Sequence, residues 1–85
     1  MPKSVFTGAH LLLVEALREA RRRADLTQAQ LAARIGKDQS YVSLIEGAQR
    51  RVDVIEFCAL ARALGEDPVR LFGEIVEQLP GDLEI

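Results

Sequence analysis

The chain has 85 residues, enough for one domain and too few to build a second core. It is 48% hydrophobic and 28% charged, which excludes a disordered segment, and with three Phe, one Tyr and no Trp its core must be aliphatic. A single cysteine, Cys58, excludes an internal disulfide framework and a cysteine-based zinc site. The natural setting for such a chain is reducing and intracellular. The apolar run 9–14 contains His10 and stops at Glu15, so it is too short for a membrane span and unlike a signal peptide. The net charge of −2 is unevenly placed. Residues 1–62 hold ten basic and seven acidic side chains (+3), and residues 63–85 hold one and six (−5). A basic body with an acidic end remains compatible with a phosphate-rich partner, because binding depends on the local patch.

Residues 1–8 read as an N-terminal arm carrying Val5 and Phe6. The main domain is expected over 9–80, followed by an acidic tail at 81–85. The first helix is predicted over about 9–24, with Leu13, Leu17 and Ala20 spaced four and three apart on one buried face. Asp25-Leu26 breaks it. A second helix, about 27–35, begins at Thr27 as N-cap, with Gln30 completing a Thr-x-x-Gln capping box. It buries Leu31, Ala32 and Ile35 and stops at Gly36, which can take the left-handed conformation. The third helix, about 38–46, is capped by Asp38, turns Val42 and Ile45 inward and ends at Gly47 or Ala48. After the basic loop Gln49-Arg50-Arg51, Asp53 caps a fourth helix, about 53–64, with Glu56 three residues on. Its set Phe57, Leu60, Ala61 and Leu64 follows the i, i+3, i+4, i+7 rule. Asp67-Pro68 opens a fifth helix, about 68–79, which Pro80 ends. No segment alternates with period two, so the fold class is all-α: a compact five-helix domain.

The stretch from Leu26-Thr27-Gln28 through Leu31-Ala32 and Ile35-Gly36, followed by Ser40-Tyr41-Val42-Ser43-Leu44-Ile45-Glu46, resembles the phage repressor/Cro-like (XRE) helix-turn-helix family. The similarity extends through Arg50-Arg51 to Ala61-Arg62-Ala63-Leu64-Gly65 and spans roughly residues 13–72. The resemblance implies a DNA-binding domain of repressor-like fold, with the helix at 38–46 entering the major groove, which is wide enough for an α-helix. It implies base contacts from Gln39, Ser40, Ser43 and Leu44. Phosphate contacts are expected from Thr27, Gln28, Lys37, Arg50 and Arg51, and from Tyr41 unless its ring packs on the second helix. Arg21 and Glu46 are expected as a structural ion pair. Several positions depart from the family pattern: Leu44 stands where a polar residue is common, Lys37 where an apolar one is, and Val52 where Pro is frequent. Gly47-Ala48 reverses the commoner order.

The fifth helix carries Leu71, Phe72, Ile75, Val76 and Leu79. Leu71, Phe72 and Ile75 are expected to seal the domain's own core, and Val76 and Leu79 extend the stripe beyond it. A homodimer interface is expected from Phe72, Ile75, Val76 and Leu79. Such a dimer would bind a roughly palindromic operator as a transcriptional regulator of prokaryotic or phage type in the cytoplasm, on the nucleoid. The alternative is a protein-interaction module, an antitoxin or adaptor, that docks a partner through the C-terminal helix. Ser40 and Ser43 have no His-Asp partnership, and His10 and Cys58 have no companions for a ligand set. No enzyme activity, cofactor, metal or membrane partner is expected; the expected partners are double-stranded DNA and a second copy of the chain.

Overall fold

The computed structural model describes residues 8–83. Its five α-helices are α1 (Gly8–Arg23), α2 (Gln28–Arg34), α3 (Gln39–Glu46), α4 (Val54–Ala63) and α5 (Pro68–Gln78), and no strand occurs among the described residues. Apart from Gly8, which opens α1, the expected N-terminal arm lies outside them.

Each of the last four helices starts where a short polar side chain satisfies an orphan backbone N–H. Thr27 Oγ1 accepts from the Gln30 N–H at 3.1 Å while Gln30 Oε1 accepts from the Thr27 N–H at 2.9 Å, a complete capping box. Asp53 and Glu56 form a second such box at the start of α4. Asp38 caps α3 through the Tyr41 N–H, and Asp67 caps α5 through the Val69 N–H, with Pro68 in the first turn. Since α2 is only seven residues long, the box and tertiary packing must supply the stability that its length cannot.

The first four helices end alike. In each, an N–H two residues beyond the cap reaches back to a carbonyl of the last turn: Leu26 to Arg21, Lys37 to Ala32, Gln49 to Leu44 and Glu66 to Ala61. This Schellman closure needs a left-handed residue just before that N–H. Gly36 (φ 70°) and Gly65 (φ 76°) fill the position after α2 and α4; Asp25 (φ 58°) and Ala48 (φ 57°) fill it after α1 and α3. The left-handed residue after α3 is therefore Ala48, while Gly47 keeps an ordinary negative φ. The reversed Gly-Ala order puts a Cβ where the backbone prefers none. The last helix stops one residue before the expected end, because Leu79 precedes Pro80 and takes the extended conformation that position favours.

The core is drawn from all five helices: Leu17 and Ala20, Leu31 and Ala32, Val42 and Ile45, Phe57, Leu60 and Ala61 with Leu64, and Leu71 with Ile75. Ala20, Ala32 and Ala61 have no exposed surface, so three helices approach closely at alanines. The more extensive packing is between α2 and α3 than between any other pair, which fixes the helix-turn-helix as a rigid unit. Three expectations need correcting. Ile35, expected to be buried with Leu31 and Ala32, is half-buried and packs against the core's edge. Val14, not Leu13, occupies the buried position one turn before Leu17, and Leu13 is half-buried. Phe72 does not seal the core: it is 54% exposed, because Leu71 and Ile75 already fill the inward face of α5 and the next residue must turn away from it.

Candidate nucleic-acid interface

With Val42 and Ile45 buried, the opposite face of α3 presents Gln39, Ser40, Ser43 and Leu44, all exposed. Leu44 is an apolar side chain 41% exposed among polar ones. Thr27 and Lys37 are exposed beside this face, and Gln28, at the first turn of α2, is half-buried.

The polar groups here are extensively bonded to one another. Arg21 Nε donates to Glu46 Oε2 at 2.6 Å, its Nη2 to Oε1 at 2.9 Å, and its Nη1 to the Leu26 carbonyl at 2.7 Å. One guanidinium thus ties α1 to the end of α3 and to the loop before α2, in the two-pronged geometry that favours Arg over Lys. Gln28 Nε2 donates to Glu46 Oε1 at 3.0 Å, and Gln28 Oε1 accepts from Gln39 Nε2 at 2.7 Å. Burial works against the Glu46 charge, yet the hydrogen bonds from Arg21 and Gln28 and the charges of Arg21 and Arg18 outweigh it and hold its carboxyl below the usual range. Ser40 Oγ donates to the Asp38 cap at 2.6 Å.

A second network lies at the far end of the face. Arg50 grips Glu56 with both terminal nitrogens, at 3.1 and 2.6 Å, and also donates to the Arg51 carbonyl. The Tyr41 hydroxyl donates to the same Glu56 carboxylate at 2.9 Å, and its ring meets two cations, Arg50 at 4.5 Å and Lys37 at 5.4 Å from the centroid. The Arg50 hydrogen bonds, aided by the Asp53 N–H and Tyr41, take the Glu56 carboxyl down to about 2. Burial and then the Glu56 contact push the Tyr41 hydroxyl up to about 12, so it keeps its proton through the neutral range. Tyr41 packs against these cations and the edge of the core, and its proton is committed to Glu56 in the free protein. Glu56 was visible in the sequence only as a capping residue. Its second role depends on the loop at 49–53 folding back over α3.

A different surface lies on α4 and α5. The apolar side chains of Val54, Val69 (81% exposed) and Phe72 line a groove of about 300 Å³ together with Leu13, Phe57, Pro68 and Cys58, and Ile55 on α4 and Val76 on α5 are also exposed. The Phe72 ring meets Phe57 edge-on, centroids 5.8 Å apart. Among the residues expected to join two protomers, Phe72 and Val76 lie on this surface. Ile75 does not: it is 4% exposed and consumed by the core. Leu79 falls past the end of α5 and is half-buried, off the stripe. Val54, Ile55 and Val69 were missed, although Val54 and Ile55, apolar residues at the start of α4 outside the Phe57, Leu60, Ala61, Leu64 set, were a readable signal.

Among the described residues no cluster of His, Cys, Asp and Glu is arranged to hold a metal, and no helix is long and apolar enough to cross a membrane. Arg22 pairs with Glu19 within α1 at 3.6 Å and Arg23 with Glu66 at 3.4 Å, both arginines exposed, and Arg18 is half-buried.

Comparison with known proteins agrees with this geometry. The helix-turn-helix family matches residues 17–71, and no curated protein matches by sequence. An XRE-family like protein from Pseudomonas syringae pv. tomato str. DC3000 is 44% identical, with 85% of this chain and 88% of that chain covered and a TM-score of 0.79. The restriction-modification controller protein C.AhdI from Aeromonas hydrophila is 40% identical over 75% of this chain and 94% of its own, TM-score 0.66. The controller protein C.Esp1396I, solved as a tetramer with its natural 35 base-pair operator, shares the fold at 19% identity, with 85% and 95% covered and a TM-score of 0.76. The capped helix pair, the buried Ala32, Val42 and Ile45, the Arg21–Glu46 clamp and the matched span agree: the chain belongs to the XRE-type helix-turn-helix family of DNA-binding regulators.

Proposed function

We propose that this protein is a sequence-specific transcriptional regulator that binds a roughly palindromic operator as a homodimer. The observation that carries the reading is the outward face of α3, where Gln39, Ser40, Ser43 and Leu44 stand exposed on a helix whose other side is locked into the core. In the major groove, Gln39 and Ser40 meet base edges, Ser43 adds a hydroxyl, and Leu44 supplies an apolar contact suited to a thymine methyl. Thr27, Gln28 and Lys37 flank the helix at the phosphates. Tyr41, Arg50 and Arg51 do so after Arg50 and Tyr41 exchange Glu56 for the DNA backbone. Arg21 and Glu46 hold the frame. No cofactor or chemistry is required.

The dimer uses the α4–α5 surface. Fully burying an exposed Val, Ile or Phe is worth roughly 1.5–3 kcal/mol, and Val54, Val69 and Phe72 line one groove, with Ile55 and Val76 also exposed on the same two helices. Two-fold pairing would set recognition helices about one DNA turn apart, ~34 Å. C.Esp1396I, solved as a tetramer on its operator, is consistent with assembly in this fold.

Fluorescence anisotropy with DNA selected from a random duplex pool tests the reading. If about four phosphates per protomer are neutralised, log affinity falls against log salt with a slope near −7. Binding with neither preferred sequence nor salt dependence would remove it. The same apolar surface supports a second reading, docking of a different protein as an antitoxin or adaptor does. A monomer at ~100 μM that gains a stable heteromeric partner and binds DNA no tighter than ~10 μM, a non-specific level, would favour it.

A further inference from the structure

Glu46 stands at the end of a one-way chain of hydrogen bonds that leads to the reading face. Its carboxylate, charged and acceptor-only, takes both prongs of Arg21 and the Nε2 of Gln28. An amide has a donor end and an acceptor end. Once the donor end of Gln28 faces Glu46, its Oε1 must face the other way, and Gln39 meets that oxygen at 2.7 Å with its own donor end. Gln39 therefore cannot choose its flip freely: its nitrogen lies on the α2 side, and Oε1 with the remaining N–H is left for a partner.

We propose that Glu46, besides clamping α1 to α3, sets the direction in which Gln39 presents its amide to a base edge, with Gln28 as the positioning residue between them. The inference rests on the reading of α3 as the base-contacting helix. Its physical content is a preorganised amide. A glutamine free to flip offers donor and acceptor in either order; a fixed one matches an edge such as that of adenine, with donor N6 beside acceptor N7, in one order only. Discrimination at that base pair then depends on a carboxylate that never touches DNA. The source of the direction is electrostatic: a neutral side chain at position 46 could accept or donate, and the chain would lose its polarity.

The test is the ratio of affinities for the preferred and next-best base at the position Gln39 contacts, measured after selecting the native protein's site from a random duplex pool. Gln28→Met leaves the Arg21–Glu46 pair intact and is expected to lower that ratio about tenfold with other positions unchanged. In a Gln39→Ala background the same substitution should leave the ratio unmoved, because the relay acts only through Gln39. Glu46→Gln should lower the ratio as Gln28→Met does. Arg21→Gln, which removes the ion pair but leaves a carboxylate for Gln28, should cost stability and keep the ratio. Circular dichroism melts show which variants are folded, and Gln28→Met decides alone should Glu46→Gln fail to fold. A native site whose base ratio survives Gln28→Met, or survives a folded Glu46→Gln, overturns the relay. A native protein that selects no site at all instead overturns the DNA reading on which it rests.

Discussion

The molecule has two exposed faces of opposite character, and they prepare for binding in opposite ways. The α3 face is polar and already bonded: Gln39 to Gln28, Ser40 to Asp38, and Arg50 and Tyr41 to Glu56. On the proposed function, contact with DNA there would be an exchange of partners, with modest net affinity and the gain in geometry, since bonded side chains hold one orientation. The α4–α5 face is apolar and has nothing among the described residues to exchange. Covering it yields the full hydrophobic gain, with no directional requirement. Under the proposed function, discrimination would come from the first face and binding energy from the second.

The largest effect should come from the apolar face. Phe72→Glu places a charge at the centre of that surface, and loss of the dimer should weaken operator binding by about a hundredfold or more as two linked contacts become one. Sedimentation should show a monomer with a melting temperature close to native, because Phe72 lies outside the core. A dimer persisting in this variant would mean that the protomers meet elsewhere.

Next is the polar face. Gln39→Ala should cost ~1–3 kcal/mol of base discrimination at one position while leaving non-specific binding and the oligomeric state untouched. Equal weakening on all sequences, seen by anisotropy, would move Gln39 from reading to mere phosphate contact.

Acid should act more weakly, through the Arg50–Glu56–Tyr41 cluster. The folded pKa of Glu56, about 2, lies below its ordinary value of 4.5, so its stabilising contribution is full above about pH 4.5 and lost as pH falls toward 2. Urea midpoints should decline across that window, and Glu56→Gln should flatten the decline. An unchanged pH profile in the variant would show that Glu56 does not hold the 49–53 loop.

The smallest effect expected is a gain. Ala48→Gly relieves the left-handed Cβ at the end of α3 and should stabilise by roughly 0.5–1 kcal/mol without altering DNA preference. Gly47→Ala should do the reverse, since its Cβ would lie 3.2 Å from the Ser43 carbonyl oxygen. If Ala48→Gly also changed base preference, the α3 terminus would be part of the reading geometry and not only of the frame.

Helix starts and the apolar faces were legible because they depend on spacing along one chain, whereas the Arg21–Glu46 pair, 25 residues apart, was legible only through the family resemblance. Thr27 with Gln30 and Asp53 with Glu56 are local patterns, and Phe57, Leu60, Ala61 and Leu64 share a helical face wherever α4 sits. The helix ends were less legible. Nothing in Gly47-Ala48 says which of the two becomes left-handed until the Gln49 N–H finds the Leu44 carbonyl. The site residues were identified as exposed polar groups, but their bonds to each other were not, because Gln28 and Gln39 are eleven residues apart and Tyr41 and Glu56 fifteen.

By itself the sequence determined the five helices, their caps and the helix-turn-helix register, since capping and periodicity are short-range and each residue's role follows from near neighbours. Only the tertiary structure decided which apolar residues are spent. Leu71 and Ile75 go to the core; Phe72, Val69, Val54 and Ile55 are left outside. A small domain's interior has room for one face of each helix and no more, and which face that is depends on where the other four lie.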